Sequence, residues 1–254
     1  MAGSGRGVSG AVLKMLGAKD HTMEVVSAED LTSHMRRLWF RAPTMLEELD
    51  WGPGAFVRMW FPDPKGRRTQ YQRGYTIAEI GESPDICAVD MLLHEPSGPA
   101  SQWAAAAVPG AQLQAMIYGS RTAVCPDPAP PGYLLIGDAA ALPAIASILR
   151  TFPSDLPVEV LLEEHDPADR EIPLPEHPGA SITWVPRTGP RSLAEALPER
   201  DRRGWHAWMT PESSSLSAIR RRLKNDPQAP QRREMHMQAY WVQGREMGVR
   251  RDSA

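Results

Sequence analysis

Two cysteines, Cys87 and Cys125, are all that the 254-residue sequence contains, and neither belongs to a C-x-x-C pair. That excludes a disulfide framework, a zinc ribbon and thioredoxin-type chemistry. Long apolar runs are missing as well. None approaches 18 residues, and the opening 1–10 stretch of Gly, Ser and Ala has no apolar h-region, so the sequence predicts neither a membrane span nor a signal peptide and places the chain in the cytoplasm. There is no H-E-x-x-H or G-x-S-x-G pattern, which removes zinc hydrolases and Ser–His–Asp hydrolases, and no G-x-G-x-x-G follows Ile136, where a dinucleotide fingerprint would stand. The seven histidines are scattered, and His165 and His177 have no Cys partners, so no resident metal is expected. What remains is a chain that is 42% hydrophobic and 23% charged, a globular composition, and 25 prolines predict many short elements.

The net charge of −3 hides a segregation. Residues 1–186 carry 14 Lys+Arg against 23 Asp+Glu, whereas 187–254 carry 14 against 8. Arginine supplies 24 of the 28 basic residues, with runs at Arg220-Arg221-Arg222, Arg232-Arg233 and Arg250-Arg251. Guanidinium forks hold carboxylates or phosphates well. No RNA- or DNA-binding signature accompanies them, so nucleic acid is excluded as a partner and a solvated helix face is the expectation for Arg220–Arg222.

From about residue 20 to 126, short apolar alternations separated by Pro, Gly and Asp read as an antiparallel β-barrel or sandwich, with the clearest strands at 57–61, 75–80 and 88–94. An alanine-rich segment, 101–107, closed by Pro109-Gly110, predicts one helix. Four prolines within 126–132 mark a linker, which gives domains at 1–127 and 132–254. Beyond it strands alternate with helices: strand 133–136, a helix on Leu142, Ile145, Ile148 and Leu149, then strands 158–162 and 182–185. A capping box at Ser192 and Glu195, strand 205–209, a helix capped by Thr210 with Pro211 in its first turn, and a last strand 235–241 complete the pattern. Such alternation predicts a mostly parallel, doubly wound sheet, with ligands beyond the carboxyl ends of its strands and function in a cleft between the two halves.

Two segments carry candidate chemistry. In Arg73-Gly74-Tyr75-Thr76, period 2 puts Arg73 and Tyr75 on one face, a guanidinium for a diphosphate beside a ring for a flat group, although an Arg and a Tyr alternating on an edge strand are also ordinary. In Asp90-Met91-Leu92-Leu93-His94 followed by Gly98-Pro99-Ala100-Ser101-Gln102-Trp103-Ala104, an apolar strand ends in a histidine and leads into a helix whose first amides suit a diphosphate. A plain strand-to-helix connection fits this segment equally.

Taken together with Leu135-Ile136-Gly137-Asp138-Ala139-Ala140-Ala141-Leu142-Pro143, Trp208-Met209-Thr210-Pro211-Glu212 and Tyr240-Trp241-Val242-Gln243-Gly244, these segments resemble the siderophore-interacting proteins, flavin-dependent ferric-siderophore reductases. The segments Lys19-Asp20-His21 and Trp60-Phe61-Pro62-Asp63-Pro64 are similar to the siderophore-interaction domains of mycobacterial ABC-type importers. The resemblance implies a ferredoxin-NADP reductase-like fold: an antiparallel six-stranded FAD-binding barrel followed by a doubly wound α/β nucleotide-binding domain. It implies FAD as cofactor and NADPH or NADH as electron donor. It also implies a ferric siderophore of the mycobactin or carboxymycobactin type as substrate, and covalent or non-covalent linkage to an ABC-transporter membrane domain on the cytoplasmic face.

Residue by residue, the resemblance assigns flavin contacts to Arg73, Gly74, Tyr75, Thr76, Asp90, Leu92, Leu93, His94, Gly98, Pro99, Ala100 and Ser101, with Tyr240 and Trp241 beside the ring, and nicotinamide contacts to Gly137, Asp138 and Glu212. For Tyr240 and Trp241, core packing on a terminal strand is the competing reading. The chain departs from the family pattern at Ala139 and Ala140, where an acidic residue is usual, at Ala78, and in Tyr118-Gly119-Ser120-Arg121-Thr122, which leaves the choice of nicotinamide open. Because hard oxygen donors hold Fe(III) far better than Fe(II), electron transfer alone releases the iron. A flavin-bearing docking module with little turnover is the alternative class.

Overall fold

The computed structural model describes residues 19–117 and 124–245, which fall into two compact units dividing near residue 122. The 118–122 segment, the glycine-rich opening and Arg250-Arg251 lie outside the described residues.

The first unit is a seven-stranded antiparallel sheet formed by β1 (His21–Asp30), β2 (Met35–Arg41), β3 (Phe56–Pro62), β4 (Gln70–Thr76), β5 (Glu79–Ile80), β6 (Ile86–Leu92) and β7 (Gln112–Met116), in the order β4-β3-β7-β1-β2-β6-β5. Alternation builds it. Leu38 and Phe40, Val57, Met59 and Phe61, Cys87, Val89 and Met91 are all buried at two-residue spacing and meet in one core. Each such side chain contributes roughly 1.5–3 kcal/mol by leaving water.

The predicted strand 75–80 is broken. Ile77 donates its N–H to the Ala55 carbonyl at 2.9 Å and Ala78 to that of Ala88, also at 2.9 Å, so two residues carry the chain from one edge of the sheet to the other. Since β4 and β5 are the two edge strands, this step curls the sheet into a half-barrel. The two-residue β5 is the strand by which the sheet exceeds the expected six. Helix α1 (Pro43–Glu48) buries Met45, and helix α2 (Pro99–Ala106) begins two residues earlier than predicted because Pro99 fits the first helical turn. Trp103 of α2 stacks on Phe40 (centroids 6.3 Å apart) and meets Phe61 edge-on at 5.8 Å, while Phe61 meets Tyr75 at 5.7 Å.

The second unit is a five-stranded sheet, parallel throughout, made of β8 (Tyr133–Asp138), β9 (Val158–Glu164), β10 (Ala180–Pro186), β11 (His206–Met209) and β12 (Met235–Met237) in the order β10-β9-β8-β11-β12. Chain order reverses between β8 and β11, the switch point of a doubly wound sheet. Every residue of β8 and of helix α3 (Leu142–Leu149) is buried, as the fully apolar run requires. Between β9 and β10 there is only a 3-10 turn, Pro167–Glu171, in a segment with prolines at 167, 173, 175 and 178 that no helix interior accepts.

Three local expectations are corrected. Ser192 is the first residue of helix α4 (Ser192–Ala196), not its cap; its Oγ accepts the N–H groups of Thr188 and Gly189 at 2.9 and 3.1 Å. Helix α5 (Ser213–Lys224) is capped by Glu212 rather than Thr210, because the Glu212 carboxylate reaches the Ser214 and Ser215 amides while the Thr210 amide is held by the Ile136 carbonyl. The last strand ends at Met237, after which the chain turns toward Trp208 and Asp138. Among the described residues no helix is long and apolar enough to cross a membrane. Both cysteines are free, and burial pushes the Cys87 thiol up to about 12.

Candidate functional site

In the first unit, β4 carries Arg73, Gly74, Tyr75 and Thr76 and pairs with β3, so that Arg73 lies opposite Met59 and Tyr75 opposite Val57. Arg73 is half-buried and donates from Nη1 to the Gln72 carbonyl at 2.8 Å. The Tyr75 phenol is held well above its ordinary pKa by burial, which outweighs the nearby Arg73 charge, so it stays a neutral donor. Thr76 is buried where β4 ends.

Helix α2 packs on β2, β3, β4 and β6. Its N-cap is Gly98, with no side-chain cap, and a Cβ there would meet nothing closer than the His94 ring at 3.8 Å. Ser101 Oγ accepts the His94 N–H at 3.1 Å, and His94 Nδ1 lies 3.0 Å from the Pro96 carbonyl, which fixes the loop ahead of the helix. Leu92 and Leu93 are partly buried, and the Leu93 N–H donates to the His34 carbonyl at 2.7 Å. Asp90 has a different employment: Arg37 spans both its oxygens, at 2.6 and 2.9 Å, and ties β2 to β6.

A second cluster gathers at the carboxyl ends of β8 and β9 in the second unit. Asp138, 1% exposed, accepts the Ala140 N–H on Oδ1 at 3.0 Å, and on Oδ2 both the Glu212 N–H at 3.0 Å and the Trp241 indole N–H at 2.8 Å. Glu163, fully buried, accepts from Arg187 Nη1 at 2.6 Å and from Ser215 Oγ at 3.0 Å, with His165 Nε2 at 3.2 Å. Gly137 is obligatory there, since a Cβ would sit 2.5 Å from that of Ala141.

Of the residues singled out from sequence, Asp138, Glu212 and Trp241 are thus brought together. Tyr240 packs edge-on against Trp208 at 5.9 Å. Glu163, His165, Arg187 and Ser215 were missed, because they come from three separate segments of the chain and share no spacing motif. Asp138, Glu163 and His165 each place a ligand atom within 4.8 Å of the others, and both carboxylates also accept N–H or O–H groups, Glu163 with Arg187 as its counter-charge.

Burial pushes the Asp138 carboxyl up to about 6, against the pull of Trp241 and His165. For His165 burial lowers the pKa, but the Glu163 hydrogen bond and the Asp138 charge outweigh it and the net shift is upward. Glu212 is lowered: its hydrogen bonds from Ser214 and the Gln243 amide overcome desolvation. A raised carboxyl and a raised imidazole both contribute stability at low pH that is lost as pH rises, for Asp138 between its unfolded value and about 6 and for His165 above 6.5. The stability of the second unit, read as a urea midpoint, is therefore expected to fall less between pH 4 and 6 in Asp138→Asn than in the wild type; equal slopes refute the assignment.

Comparison with known proteins agrees with this architecture. Residues 130–244 match the family model of the siderophore-interacting protein, and 66–119 that of the siderophore-interacting FAD-binding domain. The chain is 46% identical over 246 residues to the mycobactin import ATP-binding/permease protein IrtA of Mycolicibacterium smegmatis, covering 97% of this chain and 28% of that protein. It thus spans under a third of that relative's length. It is 28% identical over 184 residues to the ferric vibriobactin reductase ViuB of Vibrio cholerae, covering 68% of this chain and 65% of that one. The crystal structure of a siderophore utilization protein from T. fusca superposes with a TM-score of 0.76 at 26% identity, covering 90% of this chain and 95% of that one. A curled antiparallel sheet matching an FAD-binding domain, followed by a doubly wound parallel sheet, is the ferredoxin-reductase-like architecture, and the chain belongs to the siderophore-interacting protein family, with FAD as its cofactor.

Proposed function

We propose that this protein is an FAD-dependent reductase of ferric siderophores, of the mycobactin or carboxymycobactin class, drawing electrons from NADPH or NADH on the cytoplasmic side of an ABC-type importer. The names of the IrtA and ViuB relatives support the substrate class and the linkage to an importer. The observation that carries the reading is in the barrel: helix α2 starts at Gly98 without a side-chain cap and packs on the strand that bears Arg73 and Tyr75. Such a start suits a diphosphate through the Ala100 and Ser101 N–H groups and the helix dipole, with Arg73 as its counter-charge in this reading.

In this reading the barrel half binds FAD and the doubly wound half receives the nicotinamide. Arg73, Ala100 and Ser101 bind the diphosphate, Tyr75 packs its ring on the flat part of the cofactor, and His94 with Thr76 borders it. Gly74 and Gly98 leave room for close approach, and Pro99 sets the helix start. Leu92 and Leu93 exclude water, while Asp90 acts through Arg37 by fixing the strand that leads to His94. FAD supplies the exchange between a two-electron hydride donor and a one-electron ferric acceptor. The protein needs no acid–base group for release of the metal, which follows from the weaker hold of hard oxygen donors on Fe(II).

A second reading, a flavin-bearing docking module, is favoured by one observation: the first amides of α5 are already capped by the chain's own Glu212, whose N–H Asp138 holds. Anaerobic spectroscopy separates the two. The reductase is expected to bleach at the flavin bands on addition of NADPH or NADH and to regain colour on addition of ferric mycobactin. A flavin that dithionite bleaches and neither nicotinamide touches identifies the docking module.

A further inference from the structure

This inference rests on the reading that a reduced nicotinamide dinucleotide is the electron source. In an open parallel sheet the nucleotide crevice lies beyond the carboxyl ends of the strands at the switch point, here between β8 and β11, and a diphosphate there binds backbone N–H groups at helix starts. At the start of α5 those groups are already in use. The Ser214 and Ser215 amides donate to Glu212 at 2.6 and 3.4 Å, and in the loop ahead of α3 the Ala140 N–H donates to Asp138.

Residues 240–243, which form neither helix nor strand, cross this same place. Four hydrogen bonds fasten them. The Trp241 indole N–H donates to Asp138 at 2.8 Å, the Gln243 N–H to Glu212 Oε1 at 3.1 Å, the Ser213 N–H to the Trp241 carbonyl at 3.1 Å, and Arg187 Nη2 to Gln243 Oε1 at 3.3 Å. The Trp241 ring rests against His165, centroids 5.4 Å apart. Three of these bonds engage Asp138, Glu212 or the first residue of α5, the groups that border the crevice.

We propose that 240–243 is a strap closed over the nucleotide crevice, latched by Trp241 on Asp138, and that the dinucleotide enters by displacing it. Lifting the strap removes the Gln243 contact of Arg187, while its guanidinium stays paired with Glu163 at 2.6 Å. Because a site open only part of the time binds with an affinity reduced by its open fraction, weakening the latch tightens nucleotide binding. Trp241→Phe removes the N–H and keeps a ring, whereas Trp241→Ala removes both. A hydrogen bond to a charged group is worth about 1.5–3 kcal/mol, so each variant should bind nucleotide about 10-fold tighter or more.

The test uses the FAD-loaded protein and the unreactive oxidised nucleotides NADP+ and NAD+. Calorimetry gives the affinity, and hydrogen exchange across 238–245 reports the strap itself. The expected result is tighter binding in both variants and faster exchange of 240–243 in the wild type when nucleotide saturates. Equal or weaker binding by the variants, or exchange that slows or stays constant, overturns the strap while leaving the donor assignment intact. If no form binds either nucleotide, and dithionite alone bleaches the flavin, the donor assignment fails and the strap falls with it.

Discussion

Replacing Arg202 with alanine is expected to cost the second unit about 3–5 kcal/mol, the usual penalty for leaving one partner of a buried ion pair alone. Arg202 is fully buried, and its Nε and Nη2 each donate to Glu159 at 2.8 Å. Its Nη1 adds a bond to the Pro198 carbonyl at 3.1 Å, so the guanidinium is held at three points. Glu159 is itself buried near the start of β9. Without Arg202 its carboxylate faces the interior with no counter-charge, and protonating it or admitting water both cost free energy. The paired replacement Arg202→Met with Glu159→Leu should stay within about 1–2 kcal/mol of the wild type, because an apolar pair of similar volume removes the desolvation problem together with the attraction. Urea unfolding, followed on a probe in the second unit, decides it. A single variant as stable as the double variant would mean that Glu159 finds another partner and that the pair is incidental. This pair sits at the amino-terminal ends of the parallel strands, opposite the Asp138 cluster, so flavin content should not change.

Arg73→Ala is expected to give a nearly colourless protein with its fold intact. A charge-assisted contact to phosphate is worth about 1.5–3 kcal/mol, which corresponds to a loss of FAD affinity of about 10- to 150-fold. Arg73 is half-buried on β4 and donates to the neighbouring Gln72 carbonyl, and its truncation should shift stability by less than about 1 kcal/mol. Arg73→Lys keeps the charge but loses the planar fork, and an intermediate flavin content is expected. The check is the ratio of flavin to protein absorbance after gel filtration, followed by titration of the apoprotein with FAD. Stoichiometric flavin in the alanine variant would remove Arg73 from the diphosphate site and move the weight to the α2 amides.

The barrel strands were legible because inward residues alternate: Val57, Met59 and Phe61 announce β3 without any tertiary information. The parallel half was legible for a related reason, since a strand covered on both faces must be apolar throughout, as 133–136 is. The break at Ile77-Ala78 was not. Both residues are apolar and fit a continuing strand, and only the presence of Ala55 and Ala88 on opposite sides decides that the chain steps from one edge to the other. The caps were misplaced for a comparable reason: Thr210 and Ser192 have the right chemistry for a helix start, but a longer carboxylate and a preceding turn competed for the same amides.

The class of fold, the strand bearing Arg73, Tyr75 and Thr76, the glycine at the start of α2 and the kinship with flavin-binding siderophore proteins were all readable along the chain, because they depend on local pattern and on residue identity. Folding alone commits Asp90 to Arg37, brings Glu163, His165 and Arg187 to Asp138, and hydrogen-bonds Trp241 across 103 positions of sequence. Those are contacts between groups far apart in the chain, and hydrogen-bond partners at such separations are chosen by where the folded sheet delivers them, not by any periodicity along it.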